Sequence, residues 1–441
     1  MDKRKKDILV SGLALFAIFF GAGNLIFPPY LGVSAGSGWF KTMLGFLLAD
    51  PVIPILTVFI TAFAGGRAVD IGNRVGSTFS KVLTLAAIIC IGPAFAIPRT
   101  AATTYEVGFA PFFPNLPIWA LTFVFFAITL LLSFKESNVV NIIGKYITPA
   151  LLFFLLVLIV KAIVSPIGTP IENTKDGGFF VNGFYEGYQT LDAFASPLFT
   201  GIVVTDILRK GYGKVSRKER RSFIIWVGLV ASIFLAIVYG GLTYLGASAS
   251  KVFSADDSRV DILVNVVYML LGNFGKLALS IAVTLACLTT AIGLTSSAGN
   301  FIEELSGGRI KYSVTVVVVT VISYLLSSLG VDAIINLAVP VLTVGYPIII
   351  ALVFYMSFEK KIPYNMAYIL MVCGVLITAL IETFGEKFGL ISLLDTIKTL
   401  PLAEFGFTWF VPSLVCFVIG YILGMMGLGK RREKDVKESM F

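Results

Sequence analysis

About twelve apolar runs long enough to cross a bilayer follow one another along this chain, and that repetition decides what it can fold into. A spanning helix needs roughly 20 predominantly apolar residues. Runs of that length lie near 8–33, 40–64, 79–108, 117–134, 139–164, 180–208, 222–247, 275–305, 312–329, 332–358, 362–382 and 405–428. The 441 residues are 57% hydrophobic and only 14% charged, with a mean hydropathy of +0.92. No polar block is large enough for a separate soluble domain. The sequence therefore predicts an all-α polytopic membrane protein, one transmembrane domain over 1–441 bathed in membrane lipid. Val260 to Leu271 adds a short helix before the eighth run, lying along the outer surface. The basic start resembles a signal n-region, but the apolar run after it is too long and lacks a small-residue cleavage site, so the first helix is expected to stay.

Orientation follows from Lys and Arg. With a cytoplasmic N-terminus, the loop after the sixth run carries Arg209, Lys210, Lys214, Arg217, Lys218, Arg220 and Arg221, and the tail carries Lys430, Arg431, Arg432, Lys434 and Lys437. Together with Lys135, Lys145 and the other short inner loops, the basic residues favour the inside over the outside (Lys175 among the latter) by about three to one. Both termini are expected in the cytoplasm. The net charge of +8 then reflects orientation and not a nucleic-acid partner.

Composition also removes function classes. With no histidine in the chain, His-based proton shuttles, Ser-His-Asp or Cys-His nucleophiles and His metal ligands are excluded. Cys90, Cys287, Cys373 and Cys416 all sit in apolar runs and read as small hydrophobes. An intramembrane enzyme would need paired acids or a Ser-Lys dyad, and no convincing set stands out. A channel would need a continuous polar pore, whereas the polar residues here cluster at two places.

The first is Phe19-Phe-Gly-Ala-Gly-Asn-Leu-Ile-Phe-Pro-Pro29, inside the first run. Gly21, Gly23 and Asn24 weaken the helix at mid-depth, and Pro28-Pro29 weakens it again. Broken backbone at that depth is tolerated only where protein covers it or where it lines a cavity. Freed N–H groups opening the second half-helix suit an anion, and freed carbonyls closing the first half suit a cation. Gly-x-Gly equally serves close helix packing.

The second place is the sixth run, with Glu186, Gln189, Asp192 and Pro197 around Thr190-Leu191-Asp192. An intramembrane carboxylate costs at least about 2.5–3.5 kcal/mol, so Asp192 needs a cation, an amine, a proton or a hydrogen-bond cluster. Capping the second half-helix is its plain structural role. Breaks in runs one and six suggest two five-helix units of opposite orientation, 8–164 and 180–358, with two additional helices over 362–428. Asp50 beside Pro51 and Arg99 after Pro98 are the other internal charges; no spacing pairs them, and Arg99 is expected to face an outer vestibule. Glu106 is expected to be wet. Thr289, Thr290, Thr295, Ser296 and Ser297 lie along the eighth run, as hard oxygen ligands for a monovalent cation or as donors to the carbonyl one turn back.

The Phe19–Pro29 stretch, Gly92-Pro-Ala-Phe-Ala-Ile-Pro-Arg-Thr100 and Cys287-Leu-Thr-Thr-Ala291 resemble the bacterial branched-chain amino acid:cation symporter family over essentially the whole chain. Gly21-Ala-Gly-Asn24 with Phe27-Pro28 more distantly resembles the first-helix break of leucine transporters of the five-plus-five inverted-repeat fold. The resemblance implies a sodium ion held by the carbonyls of Ala17, Phe20 and Ala286 and the hydroxyls of Thr289 and Thr290. It implies a second ion held partly by Asn24. The substrate carboxylate would meet the amides of Ala22 and Gly23, next to Gly21. The amine would meet carbonyls near Phe19, Gln189 and Thr190, with Asp192 at a matching ligand position. Phe194, with Phe95, Ile97 and Phe199, would enclose an aliphatic side chain. Two departures stand out: Ile26 replaces a gating Arg, and a third-helix Tyr has no counterpart. The expectation is a sodium-coupled importer of leucine, isoleucine and valine in a bacterial cytoplasmic membrane, with Na+ as coupling ion and no other cofactor. Proton coupling, or another small solute on the same fold, is the alternative. Stoichiometry and oligomeric state are not encoded legibly.

Overall fold

A computed structural model describes residues 3–134, 139–173 and 178–427. Lys135, Lys175 and the basic tail from Lys430 lie outside the described residues, and nothing is described of the side chains of Lys145 and Lys214. Among the described residues the chain is helical, without a strand. The first run is α1 (Lys3–Phe19) and α2 (Ala22–Ala35), separated at Phe20-Gly21. Pro28 and Pro29 do not interrupt α2, contrary to the sequence expectation. A neighbouring helix lies against the Pro29 carbonyl, so protein and not lipid covers this part of α2.

Next come α3 (Trp39–Leu47), α4 (Ile53–Ala64), α5 (Ser77–Ile89) and α6 (Ala96–Thr103). Both pairs contain breaks the sequence reading missed. Asp50 is extended between α3 and α4 (φ −153°, ψ 114°), and Gly92 is non-helical between α5 and α6 (φ −88°, ψ −115°). Each stands just before a proline, which disfavours helical geometry in the residue preceding it. The chain continues through α7 (Ile118–Phe134) and α8 (Val139–Val164). The sixth run is α9 (Phe179–Tyr188) and α10 (Asp192–Arg209), bent by 50°. Leu191 turns left-handed at the bend, with φ +69°.

The remainder is α11 (Arg217–Ser248), α12 (Arg259–Leu305), α13 (Tyr312–Ser327), α14 (Val331–Met356), α15 (Asn365–Phe384), α16 (Ile391–Lys398) and α17 (Phe410–Met425). Gly272 (φ 63°, ψ −156°) separates the first turns of α12 from the rest, so the extra helix expected before the eighth run is present.

Among the described residues, six helical stretches are long and apolar enough to cross a membrane, and the bent α9–α10 pair makes a seventh. One of the six, Ala22–Ala64, is 43 residues long. That is about twice a bilayer crossing, and the chain turns within it at Gly36, where φ is +53°. Shorter apolar helices include α7, α13 and α17. Exposed Phe123, Leu131 and Leu325 give α7 and α13 an outer face suited to hydrocarbon.

Small residues set the tightest crossings. α2 crosses α11 with Gly32 against the Thr243 carbonyl and Gly246 against the Pro29 carbonyl. α3 crosses α9 with Gly45 against the Phe180 carbonyl and Gly183 against the Thr42 carbonyl. A Cβ at any of the four would overlap facing backbone. α1 packs chiefly on α11, α12 on α8, α13 and α6 and also on α2, and α15 on α17 and α14. Cys90 and Cys287 are buried, as small hydrophobes should be, whereas Cys373 is exposed on its helix.

Candidate functional site

Each break exposes backbone that a continuous helix would hide, and side chains gather to meet it. At the first, Gly21 N–H donates to Phe19 O at 2.9 Å and to Asn24 Oδ1 at 3.1 Å. Asn24 thereby caps its own half-helix, and the bond fixes which way its amide faces. Its Nδ2 lies 2.8 Å from Asp50 Oδ2, 2.8 Å from Asp192 Oδ2 and 2.6 Å from Tyr239 Oη. Tyr239 Oη donates in turn to Asp50 Oδ2 at 3.1 Å. All four side chains are buried. Asp50 reaches this centre because the chain is extended between α3 and α4, and Asp192 because it opens α10 just after the left-handed Leu191.

At the second break, Ala193 N–H donates to Tyr346 Oη at 3.3 Å instead of to the carbonyl four residues back. That leaves Gln189 O for Arg99, whose Nη1 donates to it at 2.5 Å; Nη2 reaches Thr190 O at 3.5 Å. The same guanidinium lies over the Phe27 ring, 5.5 Å from its centroid. It also presses on the first turn of α2, where a Cβ at Gly23 would stand 2.9 Å from Nη2. Arg99 is thus buried, 4% exposed, and faces no outer vestibule. The freed carbonyls let a charge sit there that water would otherwise have to hold. It does not pair with Asp50 among the described contacts. Glu106 is likewise half-buried and not simply wet, for it accepts the Val331 N–H at 2.9 Å and so caps α14.

Of the residues singled out from sequence, Gly21, Ala22, Gly23 and Asn24 surround the first break, and Gln189, Thr190 and Asp192 the second. The Asn24–Asp192 bond and Arg99 bring the two sets together. Phe194 packs on Tyr346, ring centroids 5.3 Å apart, in the space left by Gly345. Phe19 packs edge-on against Phe199 at 5.4 Å, and Ile97 is fully buried while Phe95 is half-buried. Thr289 Oγ1 donates to Ala286 O at 2.8 Å and Thr290 Oγ1 to the same carbonyl at 2.9 Å. Both hydroxyls therefore make the turn-back bond and keep lone pairs to offer. Ala17 and Phe19 ride on α1, which packs mainly on α11, whereas the threonines ride on α12 beside α2.

Tyr239 and Tyr346 were missed by sequence reasoning. A lone tyrosine in an apolar helix looks like core, and only the fold brings these hydroxyls to the breaks. Asp50 Oδ1, Gln189 Oε1 and Tyr188 Oη have no protein partner among the described residues, although all are buried. No group of three or more Cys, Asp or Glu able to hold a metal occurs among them.

A cavity of about 570 Å³ leads toward the second break, lined by Tyr30, Ser34, Asn182, Glu186, Tyr188 and Gln189 among others. Ion pairs stand beside it. Arg259 Nη2 meets Glu186 Oε1 at 2.8 Å, Nη1 meets Asp332 Oδ1 at 3.4 Å, and the guanidinium lies 4.2 Å from the Tyr30 ring centroid. The arrangement offers an amide-rich pole, a carbonyl and carboxylate pole and an apolar wall, chemistry suited to binding and release.

Residues 4–426 match the family described as branched-chain amino acid transport protein. The chain is 34% identical over 439 residues to the branched-chain amino acid permease BraB of Bacillus subtilis, covering 95% of each chain. It is 33% identical to the branched-chain amino acid transport system 2 carrier protein of Pseudomonas aeruginosa, covering 97% of this chain and 98% of that one. Among solved structures, the inward-facing conformation of Mhp1 superposes with a TM-score of 0.63 at 12% identity, over 98% of this chain and 94% of that one. MhsT in complex with L-phenylalanine gives 0.52 at 16% identity, over 95% and 98%. These likenesses show a shared fold.

Proposed function

The chain belongs to the family of branched-chain amino acid transport proteins, and we propose that it is a symporter importing leucine, isoleucine and valine by alternating access, driven by sodium. It is a carrier and not an enzyme. The observation that carries the reading is the meeting of three broken spans at Asn24, Asp50 and Asp192, with Arg99 alongside. Counted at ordinary ionisation, those side chains hold two negative charges and one positive. A zwitterionic amino acid adds no net charge, so a buried centre of this kind calls for one monovalent cation as well. That supports cation coupling of some kind.

In this reading the substrate carboxylate meets the amides of Ala22 and Gly23 beside Gly21, and the ammonium meets carbonyls near Phe19, Gln189 and Thr190 with Asp192. Phe194 supplies part of the aliphatic wall. Sodium sits among the carbonyls of Ala17, Phe20 and Ala286 and the hydroxyls of Thr289 and Thr290. A second ion at Asn24 would share Oδ1 with the Gly21 N–H. The twelve spans are α1–α2, α3–α4, α5–α6, α7, α8, α9–α10, α11, α12 beyond Gly272, α13, α14, α15 and α17. The first ten form two inverted repeats over 8–164 and 180–358, and the last two are additions over 362–428. The protein lies in a bacterial cytoplasmic membrane with both termini inside.

The same charge count is met by a proton, which is the second reading. Labelled leucine uptake into proteoliposomes under an imposed sodium gradient, and then under a pH gradient alone, separates them. Uptake driven by pH without sodium overturns sodium coupling, and no uptake under either overturns the substrate.

A further inference from the structure

Arg99 is a buried cation lodged between the two poles of the amino-acid site. Its Nη1 and Nη2 hold Gln189 O and Thr190 O, the acceptors that the reading above gives to a substrate ammonium. Its other side rests on Gly23, where a Cβ would meet Nη2 at 2.9 Å and Cζ at 3.2 Å. Gly23 opens α2, the amide end that would take a substrate carboxylate. A planar guanidinium is suited to both contacts, since it donates to carbonyls and pairs with carboxylates in a forked geometry.

We propose that Arg99 stands in for the substrate ammonium: it holds the Gln189 and Thr190 carbonyls until an amino acid arrives, then yields them to the ammonium and pairs with the carboxylate beside Gly23. The inference rests on the proposed amino-acid site. Its consequence is a demand for both groups at once. An amine without a carboxylate displaces the guanidinium from its carbonyls and offers its donors no acceptor in exchange. A carboxylate without an amine leaves Arg99 where it is. The exchange also keeps the two breaks joined by a protein cation whenever a substrate cation does not join them.

The test is competition against labelled leucine on purified protein in saturating sodium, with leucinol lacking the carboxylate and 4-methylpentanoate lacking the amine. On the wild type, each is expected to bind about a hundredfold or more weaker than leucine. Arg99→Gln and Arg99→Met should lower leucine affinity by about tenfold or more while leaving leucinol unchanged or tighter, so that the leucine-to-leucinol ratio collapses. Arg99→Lys should keep part of that ratio. A parallel loss of both ligands would make Arg99 a scaffold residue and overturn the exchange. So would wild-type protein that binds leucinol or 4-methylpentanoate as tightly as leucine, a measurement independent of how the variants fold. Wild-type protein that binds no leucine overturns the proposed function itself, whereas leucine binding with an unaltered ratio in the variants overturns the exchange alone.

Discussion

Asp50 and Asp192, on spans far apart in sequence, share one nitrogen: Asn24 Nδ2 lies 2.8 Å from an oxygen of each. The two helix breaks are held together by a neutral amide set between carboxylates. Tyr239, at 2.6 Å from the same nitrogen, closes the ring.

Replacing the donor should loosen that centre. Asn24→Leu removes two buried bonds to charged acceptors, each on the order of 1.5–3 kcal/mol, and should lower the thermal midpoint of the purified protein sharply while abolishing uptake. Asn24→Asp should be worse than a neutral change, since it puts a third carboxylate among two. Adding Asp50→Asn to it supplies a new amide and should recover part of the stability. A melt unchanged in Asn24→Leu would show that the network does not support the fold.

Thr289→Ala and Thr290→Ala each remove one hydroxyl from the proposed sodium site. Sodium affinity should weaken by about 1–2 kcal/mol, or roughly five- to thirtyfold. Leucine affinity should fall at low sodium and recover at saturation, because the two ligands are linked. Ser297→Ala, further along α12, should leave the sodium dependence alone. Normal sodium titrations in both threonine variants would remove the ion site.

The Arg259 ion pairs beside the cavity should hold it partly closed. Arg259→Met releases Glu186 on α9 and Asp332 on α14 together. A cysteine at Ser34, on the cavity wall, should then react with a polar thiol reagent about fivefold faster in a background without native cysteines, the scale of a half-buried pair worth about 1 kcal/mol. An unchanged rate would mean that these pairs do not restrain the opening.

Orientation is open to a direct check. Cysteines placed at exposed Ser216 and Ser392 should differ in intact cells: Ser392→Cys labels from outside and Ser216→Cys does not. The reverse pattern inverts the topology.

Both principal breaks were legible because glycines stand together with an asparagine or a charge inside apolar runs, and a polar or charged side chain is costly where a helix faces lipid. The Asp50 and Gly92 breaks carried a signal too, an X-Pro step within an apolar run, but Asp50 was weighed as an internal charge and not for its backbone geometry. Pro28-Pro29 misled for a different reason: α2 runs on through them, packed on α11 at the Pro29 carbonyl, a neighbour no local pattern reveals. Arg99 could not be placed from its own span, since its acceptors are carbonyls freed on α9 and α10. Tyr239 and Tyr346 were invisible for the same reason, a hydroxyl having meaning only beside its partner.

The glycine crossings of α2 with α11 and of α3 with α9 have a mechanical corollary. A joint with backbone against backbone contains no side chain that can change rotamer, so it transmits displacement without slack. The two pairs also touch one another, α2 on α3 and α3 on α11. A tilt of α2 therefore carries α3, α9 and α11 with it, and Asn24 and Tyr239 ride on that plate without altering their separation. Sliding is left to surfaces where side chains interlock, such as the one where Arg99 reaches from α6 across to the α9–α10 bend.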